Sequence, residues 1–149
     1  LATHDGILPL KEEDIITPHP GEAARLLEQH VEFILDEPLD ALSRLHDLCG
    51  CCVLLKGART LVSDGDATYI SLYGTPALAK GGSGDVLAGL ILALLGQGWE
   101  PELAARDGVY LHGEAGDRCA GSLGEYGMTP GDLVERLPET LEAHVRSGS

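Results

Sequence analysis

The sequence predicts an α/β fold assembled around a small sheet, and three observations carry that prediction. Segments of strand character alternate with segments of helical periodicity along the chain. The stretch "CVLL" at residues 52–55 is apolar without alternation, as in a parallel strand covered on both faces. Pro38 with Gly50, and the pair Thr129-Pro130, stand where helices start and stop.

Residues 14–17 read as a short strand. Pro18 and Pro20 then hold the chain extended, and residues 21–29 should turn helical, with Ala23, Ala24, Leu26 and Leu27 on an apolar face. A second helix fits residues 38–48: Pro38 suits a first turn, Leu39, Leu42 and Leu45 recur at helical spacing, and Gly50 can end it. After "CVLLKG" come "TLVS", "DGD" and "ATYISL", a hairpin turned at Asp64-Gly65, in which Asp64 and Asp66 are turn residues. A glycine-rich loop leads into a helix over residues 83–95 that is apolar nearly all round and should be buried on several sides. Pro101 opens a long helix to about residue 120. Thr129 as N-cap, Pro130 at the first position and Asp132 in the first turn open the last one. So few strands make a small, one-sided sheet for so long an apolar helix. Residues 1–149 are therefore expected to be a single partial domain, part of a larger one.

The 149 residues, 44% of them hydrophobic, suffice for one core, and with only 4% aromatic that core must be aliphatic. A net charge of −14 argues against broad attraction to nucleic acid or anionic membrane, but not against an anion held locally by backbone N–H groups. The longest apolar run, residues 86–95, is too short to cross a membrane, and "LATHDGILPLKEED" lacks the pattern of a secretory leader. A cytoplasmic protein is expected. Cys49, Cys51, Cys52 and Cys119 lack the spacing of a zinc site and read as buried, reduced thiols.

The chemistry is concentrated in "TPALAKGGSGDVLAGLI", residues 75–91. A loop entering a helix presents unpaired N–H donors at the positive end of the helix dipole, and glycines let an anion approach them. "GGSGD" is thus a phosphate cradle, though not a Walker loop: Lys80 precedes the glycines and no Gly-Lys-Ser/Thr follows. Asp85 is either an ordinary first-turn acid or a general base beside the cradle, where a carboxylate would otherwise repel the ligand. His112 and Asp117, in "HGEAGD", do not share a helix face as a metal pair would, and Gly113 and Gly116 point to close helix packing.

Three motifs in this order, "ITPHPGEAARLL", "VLLKGARTLV" and "PALAKGGSGDVLAGLI", with the closing "HGEAGDRCA" and "MTPGDLVERLPETL", resemble the ADP-dependent NAD(P)H-hydrate dehydratases, a branch of the ribokinase-like superfamily. The resemblance spans about residues 14–141. It implies a three-layer α/β/α sandwich of which only the C-terminal portion is present. It implies repair of hydrated NADH or NADPH: ADP, or ATP in some relatives, with Mg2+, phosphorylates the ring hydroxyl, and phosphate then leaves. By the same resemblance Asp85 is the base, Gly82, Ser83 and Gly84 form the anion hole, and His19 with Asp85 meets the hydrated nucleotide. Lys56, Gly57, Ala58, Arg59 and Thr60, with Gly84, take the adenine nucleotide, Glu22 is the candidate for a magnesium or water contact, and homo-oligomers, often tetramers, are expected.

Two positions depart from the family's pattern: Thr75 stands where an Asn approaches the nucleotide, and Lys80 where a small or hydroxyl residue is common. Another ribokinase-like kinase, acting on a sugar or a vitamin precursor, would share the glycine loop but release a stable phosphorylated product. A truncated, non-catalytic nucleotide-binding module would keep the fold alone. The natural protein is expected to be longer than this chain.

Overall fold

The computed structural model describes residues 2–3, 6–7, 10–79 and 81–147, and these form two compact units. The first holds the described residues up to Ile70 together with Glu100–Ala105. In it β1 (Ala2–Thr3) pairs antiparallel with β2 (Gly6–Ile7). A mixed sheet runs β3 (Ile15–Ile16), β4 (Cys52–Leu55), β5 (Leu61–Ser63), β6 (Thr68–Ile70), in that spatial order. β3 and β4 are parallel and the other neighbours antiparallel. Parallel neighbours need a crossover, and α1 (Pro20–Leu27), α2 (Val31–Asp36) and α3 (Pro38–Cys49) supply it. Their apolar faces close with the sheet into one core that includes Ile16, Ala23, Ile34, Leu42, Leu45 and Val53. All four residues of β4 are buried, as its unbroken apolar run requires.

The α/β class is the expected one, and the strand at 14–17 and the helices at 21–29 and 38–48 lie where they were anticipated, within a residue or two. The six-residue α2 was not anticipated: its single buried side chain, Ile34, makes no period. The β5–β6 turn spans residues 64–67, because Ser63 lies opposite Thr68. The Asp64 carboxylate accepts the N–H groups of Asp66 at 2.9 Å and Ala67 at 2.8 Å, and the Ala67 bond above all holds its pKa below the ordinary value. Cys49, Cys51, Cys52 and Cys119 are all buried. Burial pushes the Cys51 thiol up to about 11 and the Cys52 thiol up to about 12.

The second unit holds Ser71–Trp99 and the described residues from Arg106 on. A short 3₁₀ turn (Pro76–Ala79) precedes α4 (Ser83–Gly96), and α6 (Pro130–Ser147) closes the chain. The long α5 (Pro101–Leu123) contributes its first turns to the first unit and the rest to the second. α4 corrects an expectation. Its buried residues are Ser83, Leu87, Ile91 and Leu94, a single stripe, while Leu92 is 69% exposed. Apolar composition all round a helix says that it can be covered on several faces; the described neighbours, the 3₁₀ turn and α6 among them, cover one. No described helix is long and apolar enough to cross a membrane.

Candidate active site

Three helices of this chain begin alike, with glycine at the second helical position and an acid at the third: Pro20-Gly21-Glu22, Ser83-Gly84-Asp85 and Pro130-Gly131-Asp132. At α1 and α6 that acid turns back and is consumed. Glu22 Oε2 accepts the His19 N–H at 2.8 Å, while His19 Nδ1 accepts from Gly21 and Glu22, closing a capping box. Asp132 Oδ2 accepts the Thr129 N–H at 2.8 Å and its hydroxyl at 2.6 Å, and the hydroxyl above all lowers the Asp132 pKa.

α4 is built differently. Its N-cap is Gly82, which has no side chain to spend on the helix end. Among the described residues, no hydrogen bond or ion pair engages the exposed Asp85 carboxylate. The start of α4 therefore offers backbone N–H donors at the positive end of a helix dipole, with an unspent carboxylate in its first turn. An anion suits the donors and a transferable proton suits the acid.

Gly82 has φ 91°, and a Cβ built on it would sit 2.9 Å from Pro130 Cγ, so the α6 start abuts the α4 start. A shallow cleft there is lined by Ala77, Ser83, Met128, Thr129, Pro130 and Leu133. His112, named in the sequence only for helix packing beside Gly113 and Gly116, which do approach Tyr73 and Leu78 closely, also lies under Ser83. His112, buried in α5, places Nε2 3.0 Å from the Ser83 carbonyl oxygen and 3.1 Å from its hydroxyl. It carries no metal pair with the exposed Asp117, and no described group of three or more His, Cys, Asp or Glu converges as a metal site. The one legible sign was a histidine set between Leu111 and a helix-packing glycine.

Desolvation lowers the His112 pKa below its ordinary 6.5. The unfolded chain thus takes up a proton that the folded one resists, so this residue's contribution to stability is whole above about pH 6.5 and shrinks as pH falls below it. Urea midpoints measured from pH 8 downward should fall more steeply below that pH than in His112→Gln, and equal slopes would contradict this.

In the first unit the Lys56 N–H donates to the Pro18 carbonyl at 2.9 Å, setting the loop that carries His19 beside the loop after β4. That second loop is "KGART": Lys56 and Thr60 are half-buried, Gly57, Ala58 and Arg59 exposed. Because Nδ1 of His19 accepts two N–H bonds, a neutral ring carries its proton on Nε2 and turns a donor outward, 3.4 Å from Glu22 Oε1. His19→Ala should lower stability by about 1 kcal/mol through loss of the cap. His19→Asn, which can cap, should recover the denaturant midpoint, and a midpoint that stays low would exclude a capping role. Thr75 turns inward on its own loop, its hydroxyl accepting the Ala77 N–H at 3.0 Å. Lys80 lies outside the described residues.

Residues 1–139 match the family described as NAD(P)H-hydrate dehydratase. The bifunctional NAD(P)H-hydrate repair enzyme of Moorella thermoacetica is 44% identical over 128 residues, 85% of this chain and 24% of that protein. The ADP-dependent (S)-NAD(P)H-hydrate dehydratase of Neisseria meningitidis is 41% identical over 122 residues, 80% of this chain and 41% of that protein. Among solved structures, the ADP/ATP-dependent NAD(P)H-hydrate dehydratase of Bacillus subtilis, co-crystallised with ATP and Mg2+, superimposes with a TM-score of 0.82 at 29% identity, over 87% of this chain and 47% of that one. The chain thus spans less than half the length of each of these relatives.

Proposed function

Since the chain belongs to the NAD(P)H-hydrate dehydratase family, we propose that it carries the phosphoryl-transfer end of a site that dehydrates hydrated NADH or NADPH at the expense of ADP or ATP. The observation that carries this reading is the start of α4, where an acid and a set of N–H donors are left unspent while the matching acids of α1 and α6 are consumed by their own caps.

In the first step Asp85 accepts the proton of the ring hydroxyl as that oxygen attacks the terminal phosphorus of the nucleotide. The new O–P bond forms as the bond to the leaving nucleotide, AMP when ADP is the donor, breaks. N–H groups of Gly82, Ser83 and Gly84 face the charge on the phosphoryl oxygens, and the work is positioning and charge stabilisation. In the second step the ring nitrogen's electron pair pushes out phosphate, the neighbouring carbon gives its proton to water, and the ring double bond returns. Lys56 meets nucleotide phosphate, Gly57, Ala58, Arg59 and Thr60 line the nucleotide's path, and the outward Nε2–H of His19 donates to an oxygen of the hydrated nucleotide. Mg2+ commonly arrives on nucleotide phosphates with most of its waters. Among the described residues no three carboxylate, imidazole or thiol groups converge into a cage for it, and Glu22, which receives the His19 N–H on Oε2, would meet the ion through one of those waters.

The full-length protein, mixed with hydrated NADH, ADP and Mg2+, should restore the absorbance of the reduced ring while releasing AMP and phosphate. A stable phosphorylated product without ring restoration would replace this reading with that of a small-molecule kinase. Absence of any nucleotide binding would leave a non-catalytic module.

A further inference from the structure

One turn of α5, from His112 to Gly116, meets the segment leading into α4 at three places. A Cβ on Gly113 would lie 2.8 Å from Tyr73 Cβ, and one on Gly116 would lie 2.8 Å from Leu78 Cδ1. The third place is His112 against Ser83. The first two contacts seat the segment; the third is polar, buried, and ends on the middle residue of the glycine turn.

We propose that His112 is a positioning residue that aims the anion-binding N–H of Gly84 through the carbonyl of Ser83. A carbonyl oxygen only accepts, so Nε2 at 3.0 Å from it must carry the hydrogen, which the hydroxyl oxygen 3.1 Å away can share. The Ser83 C=O and the Gly84 N–H belong to one planar trans peptide and point in opposite directions. A donor that holds the oxygen therefore fixes the direction of the N–H on the other side of the plane. Ser83 is 3% exposed and His112 7%, so water does not compete for either group. Nothing else in the mechanism uses His112. Ser83 opens α4, so its carbonyl also accepts within the first helical turn, and His112 is a second hold on the same oxygen, at the helix end where Gly81, Gly82 and Gly84 bring no side chains to steady the plane.

The test compares His112→Gln, whose amide N–H reaches the same place, with His112→Met, which matches Gln in length and has no donor. Inorganic phosphate is titrated against the full-length protein while the amide shifts of Ser83 and Gly84 are followed by NMR. The Met variant should bind phosphate about tenfold more weakly than wild type, and the Gln variant within about threefold of it, the effect of one buried hydrogen bond. Resting on the reaction proposed above, kcat for hydrate dehydration should follow the same order while KM for the hydrate stays put. Equal phosphate affinities in the two variants, whether both high or both low, would overturn the proposal. If neither variant folds, imidazole ¹⁵N shifts of the wild type decide: a proton on Nε2 upholds the tether, and a bare Nε2 removes it. A wild type that binds phosphate at Gly84 but leaves the hydrate unchanged would sink the dehydratase reading and leave the positioning role intact.

Discussion

Asp85→Asn should lower kcat for hydrate dehydration by about a hundred- to ten-thousand-fold, the span that a positioned general base contributes. The substitution keeps the shape and removes the acceptor of the proton. Stability should barely change, because no described donor depends on this carboxylate and its remaining service, at the dipole of α4, is worth about 0.3–1 kcal/mol. Nucleotide binding should survive and can even tighten, since a negative charge beside the phosphoryl group has been taken away. Steady-state kinetics with a parallel urea titration check both halves. Full activity in the Asn variant would place the base elsewhere and reduce Asp85 to a first-turn acid like Glu22 or Asp132.

Gly82→Ala should destabilise the start of α4 on two counts. Its φ of 91° is one that L side chains rarely adopt, which costs about 1–2 kcal/mol. The new Cβ would also press to 2.9 Å from Pro130 Cγ, in a ring that cannot swing aside, and such crowding costs about 1–3 kcal/mol. Relief can come from separating the starts of α4 and α6 or from turning the Gly82 peptide, and either displaces the N–H donors. A loss of about 2–5 kcal/mol of unfolding free energy, read from denaturant titration, is expected together with loss of phosphate binding. Gly81→Ala serves as the control, because a Cβ there meets nothing within 4 Å. If the two variants behave alike, the conformation of Gly82 is not what holds the turn.

Much of this was legible in the chain because local chemistry decides it. Pro38 and Gly50 bracket α3, Thr129 and Asp132 announce the start of α6, and the unbroken "CVLL" marks the strand buried on both faces. The hydrogen bonds at the helix starts were not read in the letters. His19 was read as a ligand contact, yet its Nδ1 is occupied in capping, and Glu22, read as a metal or water contact, is the other half of that box. The contrast among "HPGE", "TPGD" and "GSGD" was present in the letters: a glycine N-cap has nothing with which to close its own helix, so the donors stay available. His112 was out of reach, because its partner lies far along the chain and periodicity says nothing about what a buried polar side chain meets. The bare face of α4 was out of reach for a related reason: composition reports what a helix can bury, and only packing reports what does.

The pairings of the four-stranded sheet differ in how much chain each must close. β4, β5 and β6 follow one another in the chain and can form a meander as soon as that short stretch collapses. β3 joins only by closing the whole crossover between Ile16 and Cys52, with three helices inside it, and non-local pairing of that kind is slow to form. The bond from the Lys56 N–H to the Pro18 carbonyl sits at the end of this last pairing. Its amide proton should accordingly exchange with solvent sooner than those of the β4–β5 ladder, and the reverse order would mean that the β3–β4 pairing opens less readily than that ladder. Both loops read as meeting the nucleotides are joined at the one pairing of the four-stranded sheet that spans the long crossover.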